Sequence, residues 1–281
     1  MSFITNFFIR IIPQHGLSRL IYKLTRIQTP WFKNWSINWF IKRFNVDMSL
    51  AVEPEPEAYK DFNSFFTRAL RQETRPVCEQ GICSPVDGTI SQIGQIHGST
   101  LLQAKHHDYD LTALLGGSAT LASNFIDGHF CCIYLSPRDY HRIHMPVDAS
   151  LREMTYVPGK LYSVNTYTAE TVPRLFAINE RVINIFDTAS GPFALIQVGA
   201  INVGSMETVW HGMVTPPYGK EITTWRYEKQ TVELKRGEEM GRFNMGSTVI
   251  MLFVKDAINW QENLTSSDAV RMGQCISSVN N

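Results

Sequence analysis

Acidic residues are missing from the first 46 positions of this 281-residue chain, although the whole carries 26 Lys and Arg against 26 Asp and Glu. Those positions hold seven cations (Arg10, Arg19, Lys23, Arg26, Lys33, Lys42 and Arg43), which leaves 19 basic against 26 acidic residues elsewhere. A basic end on an acidic body selects an anionic partner for the end alone and argues against nucleic acid as the partner of the rest. Cysteine is scarce: Cys78, Cys83, Cys131, Cys132 and Cys275 are odd in number and form no Cys-x-x-Cys pair. A disulfide framework and a structural zinc site are thereby disfavoured, and a reducing compartment is expected. No cleavable signal stands out, because nine uncharged residues run into charges and Pro13 without a small-residue cleavage pattern. The longest uncharged run, Thr188 to Met206, spans 19 residues but is broken by Gly191, Pro192, Gly199 and Gly204, which reads as two strands and a turn. There is no internal repeat, and only the tail after Leu264 is of low complexity.

What is present at the basic end is aromatic. Phe3/Ile4, Phe7/Phe8 and Ile11/Ile12 recur every four residues, and Leu17, Leu20/Ile21 and Leu24 mark a second segment after Pro13. Beyond Pro30 a third places Trp31, Trp35 and Trp39 four apart, beside Phe32, Phe40 and Phe44. Each segment predicts an amphipathic helix. Helices rich in Trp and Phe and flanked only by cations suit a bilayer interface, where indole rings sit at headgroup depth. The same faces are also compatible with packing on the protein's own sheet or on a second copy in a homodimer. Residues 1–46 are therefore expected to form a membrane-contact segment, and 47–281 the catalytic domain.

Residues 47–58, with Glu53-Pro54-Glu55-Pro56, read as a stiff acidic linker or a helix stop, and Phe62, Phe65/Phe66 and Leu70 as a short helix. From Ile82 onward short β-like runs alternate with turn residues: 89–96, 130–135, 151–157, 182–186, 193–203, 208–214, 231–234 and 248–254. Together they predict an α+β fold with a β-rich core, barrel-like or built of two sheets.

A serine hydroxyl needs a base to become a nucleophile, and a histidine serves best when a carboxylate fixes its tautomer. Asp87, His144 and Ser247 supply such groups, and each has a plainer reading: an Asp-Gly turn, a core histidine, and a Gly-Ser strand entry. His141 and His144 form His-x-x-His, but no third ligand stands at metal spacing, so no metal is expected. Gly246 leaves room for an approach to its own carbonyl.

Three motifs in order carry more than any one. Ser84-Pro85-Val86-Asp87-Gly88-Thr89-Ile90, then Tyr134 to Pro146 with Ser136-Pro137-Arg138-Asp139-Tyr140-His141, then Met245-Gly246-Ser247-Thr248 together closely resemble the bacterial phosphatidylserine decarboxylases. Tyr156-Val157-Pro158-Gly159, Asn179-Glu180-Arg181-Val182 and Gly241-Arg242-Phe243 extend the likeness over nearly the whole chain.

The resemblance implies that Asp87, His144 and Ser247 form a serine-protease-like triad aimed at the chain itself. Attack of Ser247 on the Gly246 carbonyl would give an ester, and its β-elimination a dehydroalanine that hydrolyses to ammonia and a pyruvoyl group. The products would be a β chain, 1–246, and an α chain, 247–281, whose covalent pyruvoyl forms a Schiff base with the substrate amine. His141 falls on the position associated with the decarboxylation step and is the candidate proton donor. Phosphatidylserine would become phosphatidylethanolamine on the cytoplasmic face of the bacterial inner membrane, with the enzyme peripheral to it. One departure is that Met245 stands where the family has Leu, a swap of similar volume and polarity. Two rival readings remain: a serine hydrolase of lipid esters, disfavoured by the lack of a Gly-x-Ser-x-Gly elbow, and a non-enzymatic membrane-bound β-barrel module.

Overall fold

A computed structural model describes residues 14–104, 107–201, 205–227, 232–245 and 248–279. The helix expected over residues 3–12 lies outside them. The next two are present as α1 (Gln14–Leu24) and α2 (Pro30–Phe44), the latter opened by its proline and closed by Asn45 in the left-handed conformation. Residues 47–58 form two short 3-10 turns, and α3 (Phe62–Phe66) follows, started by a reciprocal Asp61–Ser64 capping box.

The body is antiparallel sheet. Its strands used below are β1 (Gly88–Gln95), β2 (His129–Tyr134), β3 (Arg142–His144), β4 (Ala149–Val157), β5 (Arg181–Thr188), β6 (Gly191–Val198), β7 (Met206–Thr208), β8 (Gly212–Thr215), β9 (Thr223–Arg226), β10 (Glu233–Leu234), β11 (Glu239–Phe243), β12 (Thr248–Phe253) and β13 (Ala269–Val270). The main sheet runs β9-β4-β5-β6-β12-β2-β1-β13, with β10 also on β4, and a second runs β8-β7-β11-β3. Two further sheets, of three and of two strands, lie beside these, and the main sheet ends in β9 and β13 rather than closing, so among the described residues the β-rich α+β expectation holds as several antiparallel sheets and no closed barrel.

β12 owes its place to composition: Thr-Val-Ile-Met-Leu-Phe is buried at every position, as a strand covered on both faces must be. It pairs residue for residue with β6 and β2, Ile250 opposite Ile196 and Cys132. The run read as one strand over 208–214 is two, because Val209–His211 turn and Gly212, at φ 75°, takes a conformation that favours glycine. Strands β3 and β11, unread as strands in the sequence, carry the histidine motif and Gly241-Arg242-Phe243 into the second sheet.

The helices have their own small core. Phe40 of α2 meets Phe62, Phe65 and Phe66 edge-on at ring distances of 5.2, 6.0 and 5.8 Å, with Ile37 and Tyr59 buried beside them. The opposite face of α2 is bare: Trp31, Trp35 and Trp39 are 72%, 61% and 52% exposed. That tryptophan stripe does not pack on the protein's own sheet. α1 is fastened to the body at its start, where the Leu161 N–H donates to Gln14 Oε1 at 2.8 Å.

Candidate active site

The peptide between Gly246 and Ser247 lies outside the described residues, but both of its flanks are fixed. On one side Thr248 is locked between Tyr134 and Val198 as the first residue of β12. On the other, buried Asn244 donates through Nδ2 to Ser205 Oγ at 2.8 Å and accepts from Asn63 Nδ2 at 2.9 Å. Between them Met245 has φ 123°, a strained value for a residue with a side chain. Strain of this kind persists only where the surroundings over-determine the backbone, and here they do.

The histidine motif folds by local hydrogen bonding. Asp139 Oδ2 accepts from the Ser136 N–H at 2.7 Å and closes a turn from which the chain enters β3. The turn places His141 in full burial, its ring 4.1 Å from that of Phe66. His141 Nδ1 lies 2.8 Å from the Asp139 carbonyl, which assigns the proton to Nδ1, while buried Nε2 has no partner among the described residues. Burial pushes the His141 pKa down to about 3, so the ring is neutral at physiological pH.

His144 is held at both nitrogens. Nδ1 donates to the Gly237 carbonyl at 2.7 Å, leaving Nε2 to accept from the Tyr140 hydroxyl at 3.0 Å. Burial lowers its pKa too, against the opposing pull of Gly237. The ring is thus a neutral base with the tautomer already set.

Asp87 sits near this ring without bonding to it. The His144 N–H donates to the Pro85 carbonyl at 2.9 Å, two residues before Asp87. The Asp87 carboxylate itself takes Arg75 at both oxygens and the Met272 N–H at 2.9 Å. The structure therefore brings Asp87 and His144 into one neighbourhood but gives the tautomer-fixing contact to a backbone carbonyl. Arg75, Tyr140 and Gly237 were not read as site residues. Only Tyr140 had a signal, its place inside the histidine motif.

Two cavities adjoin here and share Phe44 and Pro137. One, of about 550 Å³, is a mostly apolar groove between α1, α2 and the sheet, lined by Leu24, Trp35, Phe40, Phe66, Tyr134 and Met245. The other, of about 600 Å³, is polar and lined by arginines and aspartates that include Asp87.

Comparison with known proteins bears on this arrangement. The family described as phosphatidylserine decarboxylase matches residues 62–278, and a second model described only as PSD matches residues 7–45. The chain is 50% identical over 278 residues to a protein of Idiomarina loihiensis, covering 97% of this chain and 95% of that one. It is 51% identical over 275 residues to a Shewanella halifaxensis protein, covering 96% of each. Against a Methylococcus capsulatus protein it is 51% identical over 270 residues, 95% of this chain and 94% of the relative. All three relatives are named phosphatidylserine decarboxylase proenzymes. With the family match spanning most of the chain, this protein belongs to the phosphatidylserine decarboxylase family.

Proposed function

We infer that this chain is a carboxy-lyase that converts phosphatidylserine to phosphatidylethanolamine, made as a proenzyme that cuts itself between Gly246 and Ser247. The family and the proenzyme relatives support the reaction and the processing. The observation that carries the residue assignment is Met245, which is at once the strained residue before the cut and part of the wall of the apolar groove.

In the precursor, His144 takes the Ser247 proton at Nε2 as the hydroxyl oxygen bonds to the Gly246 carbonyl carbon. The Gly237 carbonyl holds the other face of the ring and the charge on Asp87 favours the imidazolium. Strain at Met245, with Asn244 and Thr248 fixed, favours leaving the amide geometry. The peptide nitrogen leaves the Gly246 carbon with that proton, giving an ester; loss of the Ser247 α-proton then expels the Gly246 carboxylate, and water converts the resulting dehydroalanine to the pyruvoyl group and ammonia.

The buried atoms without partners among the described residues, Thr248 Oγ1 and His141 Nε2, suit a small polar group at position 247 better than an apolar one, and so fit a pyruvoyl. Joined through the peptide to Thr248, that group supplies an electron sink for the charge left when carbon dioxide departs. His141 returns a proton to the substrate carbon. Its ring is neutral when empty, so the proton reaches Nε2 only when an anionic carboxylate beside it raises its affinity.

The exposed tryptophans of α2 hold the groove at headgroup level on the cytoplasmic face of the inner membrane, and the acyl chains enter below them. No helix among the described residues is long and apolar enough to cross a bilayer. Denaturing mass spectrometry tests the reading: two chains, 1–246 and 247–281, the smaller trapped by phenylhydrazine, are expected. A single 32.0 kDa chain would overturn it, as would efficient cutting in Ser247→Ala.

A further inference from the structure

Arg68 is a buried cation with donors to spare. It is 4% exposed, and its guanidinium makes one hydrogen bond, Nη2 to the Arg138 carbonyl at 3.0 Å. Nε and Nη1 are buried and donate to no acceptor among the described residues. A guanidinium in that state is costly unless something anionic completes it. The neighbouring arginine of the same cavity is in the opposite condition, since Arg75 is consumed by Asp87 at both oxygens.

The cavity that Arg68 lines is large enough for a headgroup, about 600 Å³, and brings four arginines (Arg68, Arg75, Arg138, Arg271) against three carboxylates (Asp47, Asp87, Asp139). With Arg75 and Asp87 cancelling and Asp139 4.0 Å from Arg138 Nε, two cations, Arg68 and Arg271, face one remaining carboxylate, which leaves the cavity a net charge of +1. Asp47, the remaining carboxylate, accepts from the N–H and the hydroxyl of Ser49. The cavity meets the apolar groove along Phe44 and Pro137, so an anion here can be joined to a chain that lies there.

We propose that Arg68, with Arg271 at the rim, forms a phosphodiester site, in which the two spare N–H groups of Arg68 take phosphate oxygens of a phospholipid whose acyl part lies in the apolar groove. The site rests on the lipid reading above for the source of the phosphate, not for the anion itself. Two sources share this chemistry: the substrate's own headgroup, or a second anionic lipid bound beside it. Planar guanidinium donors match phosphate oxygens in pairs, and burial strengthens the contact.

Full-length Ser247→Ala protein, which neither cuts nor turns over on the reading above, allows the site to be tested apart from catalysis. Calorimetric titration with glycerol 3-phosphate at low ionic strength is expected to show binding, weakened roughly tenfold to a hundredfold by adding Arg68→Gln. Arg271→Gln, exposed and outside the core, is expected to weaken it several-fold, which guards against a misfolded Arg68 variant. No binding by the parent, or unchanged affinity in both variants, overturns the proposal whether or not the chain is a decarboxylase. Processed enzyme on phosphatidylcholine vesicles then separates the sources. A raised KM for phosphatidylserine in Arg68→Gln assigns the substrate's phosphate. Activation of the unsubstituted enzyme by phosphatidylglycerol, lost in Arg68→Gln, assigns a second lipid.

Discussion

The Tyr140 hydroxyl donates to His144 Nε2 at 3.0 Å, and so occupies the nitrogen that receives the Ser247 proton in the mechanism proposed above. Tyrosine and serine therefore compete for one acceptor. Tyr140→Phe removes the competitor without emptying the space, and processing is expected to be at least as fast as in the unsubstituted chain. A pulse-chase of the 32.0 kDa precursor reads this directly. Failure to process would make Tyr140 a participant rather than a rival.

Arg75 and Asp87 form a buried ion pair, and removing one partner leaves the other uncompensated. Arg75→Ala is expected to cost about 3–5 kcal/mol, seen as a lower denaturant midpoint at unchanged slope. Arg75→Ala together with Asp87→Ala should recover part of that loss, while remaining uncut if Asp87 assists His144.

His141 and Glu180 give stability opposite pH slopes. His141 is held near 3 by burial, below its unfolded value of 6.5, so the folded state binds fewer protons between those limits and loses stability as pH falls through them. Glu180 is raised by burial to about 8, above 4.5 unfolded, so stability is lost as pH rises through that window. Glu180→Gln is expected to stabilise the fold at pH 8 and do little at pH 5; equal effects at both would refute the assignment. For His141→Ala, normal cutting with abolished carbon dioxide release is expected, and retained turnover would remove it from the mechanism.

Trp31, Trp35 and Trp39 are each more than half exposed, and their ring contacts are with Phe32 and Phe44 of their own helix. Replacing all three by Ser is expected to leave the melting temperature within a few degrees. Sedimentation with vesicles containing phosphatidylglycerol should fall by about tenfold or more. Undiminished vesicle binding would return the stripe to a protein partner.

How far the sequence reached depended on whether a feature repeats along the chain. β12 was legible because six consecutive β-branched or apolar residues leave no other element open, and α2 because its aromatic residues recur at four. The partners of the site were not. Arg75 lies 12 residues from Asp87 in no pattern, and the Gly237 carbonyl that orients His144 is a backbone group, which has no letter of its own. Closure into a barrel was equally hidden, since it depends on which strands find partners at the edges.

Seated in the middle of the main sheet, the segment that follows the cut has hydrogen-bonded neighbours on both flanks. Scission at the proposed position would therefore change connectivity without breaking the sheet: the short piece would stay in register as a guest that its host cannot release. What is lost is the way back. An intact precursor refolds as one molecule, but once cut and denatured the two pieces must find each other in solution. Recovery from heating is then a second-order event that dilution suppresses, and maturation turns a reversible fold into a kinetically trapped one.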